Sequence, residues 1–403
     1  MRDAPRVAIV GGGPAGAVAA RVLARRGVQA IVLEAHAAPP LKVGETLPPG
    51  LTPLLRHLGL ETWLETDGHL RSQGNRSLWG STRPAESPFL ANPFGGGWHV
   101  DRRRFEARLA ETAREAGAEW RSGTRLLSCV QEGRAGRGWR LTVTQGDRRE
   151  VLDVDFVADA TGRHARLARR LGAQRIRYDR LTGVTGLLAS PTPTTDTYTL
   201  VEATPGGWWY SALLADGRLA VAFLTDGDLL ERPLRRASDD PDAWWQLLRR
   251  TEATRERVEG AGYRLTTPLK VLPAESSRLD TIVGEGWIAL GDAAAAYDPL
   301  SSHGVASAMG SGFYGGHAIF DLLAGRDEAH LAYLDLLQSA YGHYLDQQRG
   351  HYAQETRWPD APFWRRRHDP SYGLAATTPP KPSSRSQTPG SREPIAPGQS
   401  RSS

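Results

Sequence analysis

Arg6-Val7-Ala8-Ile9-Val10-Gly11-Gly12-Gly13-Pro14-Ala15-Gly16 is an apolar run that breaks into a glycine turn, and Ala17–Arg26 continues it with helical composition. Gly27 stands as a helix terminator, and Ala30–Leu33 is a second apolar run ending at Glu34. The pattern is strand, tight turn, helix, strand. The turn fits G-x-G-x-x-G, whose glycines have separate jobs. Gly11 makes the tight turn, Gly13 lets backbone approach a pyrophosphate, and Gly16 packs helix against strand. The first helical amides, Ala15 and Gly16 among them, present partial positive charge to the phosphates. Glu34, eighteen residues beyond Gly16, sits where an acid can accept hydrogen bonds from an adenosine ribose. The basic, small-residue start also resembles a short secretory leader, but the glycine pattern is the more demanding match.

Working outward, 403 residues with 40% hydrophobic composition supply two to three domains' worth of chain and a large core. Cys129 is the only cysteine, which excludes an intramolecular disulfide and a Cys-rich zinc site and suits a reducing, cytoplasmic setting. No metal site is expected. Of 50 basic residues only Lys42, Lys270 and Lys381 are lysine, so a mechanism that needs a catalytic amine has few candidates. The pI near 9.5 belongs largely to the end of the chain. Residues 373–403 carry a net +3 of the total +5, leaving a nearly neutral body and no case for nucleic acid. No run of 18 uncharged apolar residues exists, so no membrane span is expected.

The rest of the chain continues the alternation. Residues 50–67 have helical spacing, and Arg102–Gly117 is amphipathic with Phe105, Leu109 and Ala113 inward. Residues 124–158 alternate as strands, and a Thr/Pro-rich stretch at 189–197 opens a strand-rich middle section. A strand is expected at 281–290, a small-residue helix near 303–320 and a terminal helix at 329–358. From about 374 the Pro, Ser, Thr, Gly and Arg composition predicts disorder.

Two further motifs narrow the nucleotide. Gly286-Trp287-Ile288-Ala289-Leu290-Gly291-Asp292 is an apolar strand ending in a carboxylate, and Phe156-Val157-Ala158-Asp159-Ala160-Thr161-Gly162-Arg163 is another strand entering a polar turn. With Arg102 at the start of its helix, the set resembles the FAD-dependent monooxygenases and their halogenase relatives over roughly residues 5–367. That resemblance implies an α/β fold. It consists of an FAD/NAD(P)-binding Rossmann-type domain of discontinuous segments, an inserted β-rich substrate domain and a C-terminal helix. The segments are 1–165 and 281–328 for FAD, 166–280 for substrate, 329–372 for the helical end and 373–403 for a disordered basic tail. It implies FAD as cofactor, with Asp292 on the ribityl chain, Arg102 near the flavin phosphates, and Asp159 and Gly162 in a turn serving flavin and reductant. No second glycine fingerprint occurs, so no separate NADPH domain is expected. NAD(P)H remains the expected reductant, directly or through a flavin reductase.

Lys42-Val43-Gly44-Glu45-Thr46-Leu47-Pro48-Pro49 and Asp298-Pro299-Leu300-Ser301-Ser302-His303-Gly304 resemble the flavin-facing loops of the tryptophan-halogenase-like branch. The closing Arg357-Trp358 and Phe363-Trp364-Arg365 resemble its C-terminal helix. The resemblance puts Gly44, Glu45, Pro299, Ser301 and Gly304 against the cofactor and makes Ser302 and His303 catalytic candidates. Four departures fall at the chemistry. The branch's relay lysine matches Arg71 in an ungapped reading, and its halide-side Glu and Thr match Ser301 and His303. Its Trp-x-Trp-x-Ile-Pro stretch matches Trp208-Trp209-Tyr210-Ser211-Ala212-Leu213, with neither Ile nor Pro.

The Ser-Ser-His loop resembles flavoproteins that oxygenate protein tryptophan in maturing quinone-containing oxidases. The expected function is hydroxylation of an electron-rich indole or phenol, free, peptidyl or carrier-bound, through a flavin C4a-hydroperoxide. Alternatives are a halogenase using Lys42 or Lys270, a prenyl-chain reductase, and a non-catalytic FAD-binding maturation partner. Trp79, Trp208 and Tyr210 are candidate substrate contacts, although core packing serves them equally well. In an alternating strand Trp208 and Tyr210 share one face and Trp209 the other. Trp98 and His99 border a Pro/Gly-rich loop that reads as a lid or a surface turn. Trp244 and Trp245 read as packing, and Arg365–Arg367 as a solvated helix end.

Overall fold

The computed structural model describes residues 4–38, 44–132, 138–236 and 241–372, so Lys42 and the basic tail lie outside the described residues. The opening strand, Arg6–Val10, is central in a six-stranded sheet. It pairs in parallel with Gln29–Glu34 on one side and Phe156–Asp159 on the other, in the registers Val7–Ala30 and Val7–Phe156. Trp287–Ala289 extends the sheet beyond Phe156–Asp159. The strand expected across 281–290 is split, because Gly286 at φ +69° turns the chain back on Val283–Gly284. Strands buried on both faces read as continuous apolar runs, which is why these segments stand out in the sequence.

Helix α1 (Pro14–Arg25) follows the glycine turn, and α2 (Arg102–Glu115) is capped by Asp101, whose carboxylate accepts from Arg103 N and Arg104 N. Helix α3 (Gly304–Leu323) packs on α1 at unusually close range. A Cβ on Gly312 would lie 2.2 Å from Ala15 O, and one on Gly316 3.0 Å from the Val22 side chain. The small residues of α3 are therefore a packing requirement. Helix α4 (Ala329–Ala353) and the short α5 (Pro362–His368) close the described chain. The helical spacing at 50–67 resolves into short pieces, Thr52–His57 and Trp63–Thr66, with Gly59 at φ +68° between them.

The second, eight-stranded sheet is mainly antiparallel and built from Leu181–Ala189, Tyr198–Thr204, Gly207–Leu213 and Leu219–Asp226. It also takes Gly74–Leu78, paired in parallel with Tyr198–Thr204, and Ala85–Pro88 beyond that. The sheet therefore draws strands from residues that the sequence segmentation assigns to the first FAD segment. Gly74-Asn75-Arg76-Ser77-Leu78 lacks an apolar period, so nothing local announces it as a strand.

Strand alternation fixes the tryptophans. Trp209 packs with Phe223 and Trp244 on one face, with ring centroids 5.1 Å apart in each pair. Trp208 lies on the other face, fully buried with Tyr352, Phe363 and Trp364. Of the basic end of α5 only Arg365 is exposed, while the next two arginines turn inward. Arg366 and Arg367 pair with Asp226 at 2.9 and 2.8 Å, Arg366 also holds Asp228, and the Arg367 guanidinium lies over the Phe363 ring. The carboxylates at the end of Leu219–Asp226 draw these arginines inward, which composition alone could not reveal.

Candidate active site

Three turns converge at the start of α1. Gly11 holds φ +110°, and a Cβ there would lie 2.3 Å from Ala160 O, in the turn after Phe156–Asp159. A Cβ on Gly16 would lie 2.0 Å from Gly11 O. Gly291, at φ +58°, is wedged between Ala15 and Ala308, and a Cβ there would lie 2.7 Å from Ala15 Cβ and 3.4 Å from Ala308 Cβ. Gly13 is the exception, since among the described residues nothing lies within 4 Å of the position a Cβ would take. Gly11, Gly16 and Gly291 thus serve packing, and Gly13 leaves open space in front of a helix start that no side chain caps. That is the geometry a phosphate needs.

Glu34 ends its strand beside this opening. It accepts from Gly12 N at 2.7 Å and from His36 N and Nδ1 at 2.8 Å. Burial opposes its charge, but the bonds from His36 and Gly12 prevail and hold its pKa below the usual carboxylate range. Asp292 lies on the Gly291–Ala293 turn, one third exposed and 3.7 Å from Arg163 Nε. Asp159 is spent internally: its carboxylate accepts from Thr161 N, Thr161 Oγ1 and Ala168 N. It therefore shapes the turn in which Gly162, at φ +66°, opens a short helix. Arg175, which sequence reasoning passed over, donates to Asp292 O and Ala293 O. Its only sequence signal was a basic residue in a strand.

The Gly-Glu loop and Arg102 also meet. Arg102 Nη1 donates to Gly44 O at 3.1 Å, and Nη2 pairs with Glu106 at 2.5 Å. Glu45 is buried, its carboxylate takes the Gly44 N–H, and burial raises its pKa. Tyr210 reaches this loop from the second sheet, with its hydroxyl 2.8 Å from Thr46 Oγ1. Trp79 and Trp208 do not. Trp79 donates to His351 O and stacks edge-on with Trp208, Tyr352 and Trp364. Trp98 and His99 are buried in a strand, and His99 bonds Leu213 O and Thr199 Oγ1.

The Pro299–Ser301 turn leads into α3. Asp298 caps it through Leu300 N at 2.8 Å, and Ser301 Oγ donates to Asp298 O at 2.7 Å. Ser302 adopts φ +53°, Ser301 Oγ accepts from His303 N at 3.3 Å, and the His303 side chain does not cap α3. The His303 ring is accessible but closely surrounded, and desolvation followed by His343 holds its pKa below the usual histidine value. Asp298 itself is held by one face of α4. Its N–H donates to Tyr344 OH at 2.7 Å, and its Oδ2 accepts from Gln348 at 3.0 Å and Tyr352 OH at 2.8 Å. These i, i+4, i+8 residues were missed by sequence reasoning, because their partner lies some fifty residues away.

Open space at Gly13, an anionic Glu34, a part-exposed Asp292 and two uncapped helix starts form a set suited to a dinucleotide bearing a sugar alcohol and phosphates. A model of the family described as FAD binding domain matches residues 5–335. The chain belongs to this FAD-binding family. The flavoprotein is 30% identical over 367 residues to a Marinomonas mediterranea protein named FAD-dependent oxidoreductase LodB, covering 89% of this chain and 96% of that one. It is 24% identical over 351 residues to the tryptophan 2-halogenase of Chondromyces crocatus, covering 86% and 66%. Among solved structures it resembles the myxobacterial chondrochloren halogenase CndH, with TM-score 0.82 and 22% identity over 91% and 86% of the chains. It also resembles the peptidyl tryptophan dihydroxylase QhpG, with TM-score 0.73 and 24% identity over 90% and 78%. The flavoprotein is thus an FAD-dependent oxidoreductase of the halogenase-like group. Among the described residues no helix is long and apolar enough to cross a membrane.

Proposed function

We propose that this flavoprotein oxygenates an electron-rich aromatic ring, an indole or phenol that is free, peptidyl or carrier-bound, without using halide. One observation carries the reading: the strand Leu70–Ser72 offers no amine on either face. Arg71 lies over the Trp98 ring at 4.4 Å and reaches Glu65, while Ser72 is buried and donates to Thr197 O. A slip of one residue in the match to the relay lysine therefore changes nothing. Guanidinium stays protonated and cannot act as a neutral amine. Lys270 lies exposed on an edge strand opposite Thr185.

FAD, once reduced, supplies the activation of dioxygen. The chain's own part is electrostatic and steric. The uncapped amides at the start of α3 favour negative charge at the edge they face. Pro299, Ser301 and Gly304 shape that edge, and the Arg102–Gly44 bond fixes the opposite loop. Buried Glu45 and the Thr46–Tyr210 pair close the cleft against water, and Tyr210 contributes a ring edge to an aromatic substrate. His303, kept neutral by its surroundings, accepts the proton released as the ring is oxygenated, with Ser302 beside it. Electrons come from NAD(P)H, directly or through a reductase, and the setting is cytoplasmic. The name of QhpG supports a peptidyl tryptophan as one member of the substrate class.

Halogenation is the second reading, favoured by the relation to tryptophan 2-halogenase over most of this chain. Incubation with NAD(P)H, dioxygen, bromide and an indole-containing peptide separates the two. Oxygenation adds the mass of one oxygen atom, whereas a bromine isotope pattern would sink the proposal. If His303 is the base, the acid limb of kcat/KM falls below the ordinary histidine range and disappears in His303→Gln. An unchanged pH profile in that variant removes His303 from the role.

A further inference from the structure

Four side chains form one hydrogen-bonded file that ends beside the Gly-Glu loop. Tyr210 OH lies 2.8 Å from Thr46 Oγ1, Thr46 Oγ1 lies 3.3 Å from Thr199 Oγ1, and Thr199 Oγ1 lies 2.9 Å from His99 Nε2. The other ring nitrogen, His99 Nδ1, lies 2.9 Å from Leu213 O. The file crosses four strands, Gly97–His99, Thr46–Leu47, Tyr198–Thr204 and Gly207–Leu213, so the pairing of two sheets holds it in place. His99, Thr199 and Thr46 are buried, and Tyr210 alone keeps exposed surface.

The direction of the protons follows by elimination. A backbone carbonyl only accepts, so His99 Nδ1 carries the ring's proton. Burial lowers the pKa of this histidine to about 4, so the ring is neutral and Nε2 can only accept. Thr199 therefore donates to His99. Each hydroxyl has one proton, so Thr46 in turn donates to Thr199, and Tyr210 donates to Thr46. Reversing one bond would leave two buried oxygens facing each other without a proton between them, at the cost of an unmade buried hydrogen bond. The Tyr210 oxygen thus points its only proton inward. Any molecule in the cleft meets it as an acceptor.

We propose that Tyr210 is a specificity-determining contact that selects aromatic rings bearing their own N–H or O–H, an unsubstituted indole or a phenol, over rings of the same shape that lack the donor. Thr46, Thr199 and His99 act through Tyr210 as positioning residues. An analogue without the donor strips water from the Tyr210 oxygen and returns no partner, and that penalty is the source of the selection. The inference deepens the oxygenation reading and takes its substrate class from it. Selection is nevertheless a property of binding, and it is measured without turnover.

The test is calorimetric titration of the FAD-loaded chain, with no reductant present, with indole and with benzofuran, which matches indole in shape and lacks the N–H. Indole binds about five- to tenfold more tightly, the contribution of one hydrogen bond. Tyr210→Phe brings the ratio of the two affinities to about one, Thr199→Val lowers it, and Thr199→Ser restores it. A merely structural role would weaken both probes together and leave the ratio unchanged. Equal affinities in the native chain, or failure of both probes to bind it, overturn the proposal. So does a preference for indole that persists in Tyr210→Phe. If Tyr210→Phe no longer holds FAD, Thr199→Val decides, and an unchanged ratio there is equally fatal. Selective binding with a brominated product would leave the contact standing and refute the oxygenation reading, whereas unselective binding with an oxygenated product would do the reverse.

Discussion

At the residue scale, the three glycines of the nucleotide turn make opposite demands. Gly16→Ala puts a methyl 2.0 Å from Gly11 O, where only backbone can yield. This variant is expected to lose several kcal/mol of stability, on the order of severe overpacking, and calorimetry of the purified chain checks it. Gly13→Ala meets nothing among the described residues, so its melting temperature should stay within a degree or so of wild type. Its FAD affinity, measured by flavin fluorescence, should nevertheless fall by about tenfold or more, because the methyl occupies the phosphate's approach. If Gly13→Ala binds FAD as tightly as wild type, the phosphate is not held there. The motif announced all three positions, but only the spacing of neighbouring backbone separates packing from binding.

His99 carries a prediction of a different kind. Burial, then Arg257, lowers its pKa to about 4, and its ring is committed to Leu213 O and Thr199 Oγ1. A histidine depressed from 6.5 in the unfolded chain adds stability that is complete above that value and lost as pH falls towards 4. The loss amounts to about 3 kcal/mol. Urea melts at pH 7 and pH 4 should show this dependence in wild type and a shallower one in His99→Gln. An equal slope in the variant would assign the acid sensitivity elsewhere. In the sequence this histidine borders a Pro/Gly-rich loop that reads as a lid or a surface turn, and the structure buries its ring completely.

At the scale of elements, α4 and α5 act as braces for the rest of the site. Tyr344, Gln348 and Tyr352 hold Asp298 from one helical face, and Arg367 ties α5 to the fully buried Asp226 of the second sheet. Arg367→Ala leaves that carboxylate without its buried partner, which typically costs about 3–5 kcal/mol, and thermal unfolding should register it. A loss below about 1 kcal/mol would mean that Arg366 alone suffices. The elements legible in advance were those with a local signal: the apolar parallel strands, the amphipathic α2 and the small-residue α3. The terminal helices were expected too, but their bracing role and the strand Gly74–Leu78 were not legible, because their meaning lies in partners distant in the chain. A run of three arginines looks solvated until the two carboxylates that receive Arg366 and Arg367 are in view.

At the scale of the whole molecule, the discontinuous sheet, the FAD family and the strand-rich second sheet follow from motifs spread over most of the chain. The lysine deficit seen in composition gains a location, since neither Arg71 nor the inward-facing Ser72 supplies an amine. Of the aromatic candidates, Tyr210 reaches the Gly-Glu loop, whereas Trp208 is core. Patterns identify which residues are aromatic, but three-dimensional packing decides which of them remain available. The central claim, oxygen transfer without halide, is tested most directly by one turnover of the chemically reduced, FAD-loaded chain on an indole-containing peptide. Dioxygen labelled with heavy oxygen and excess bromide are supplied together. The account predicts a peptide product carrying heavy oxygen from dioxygen and no bromine; a brominated peptide free of the label would contradict it.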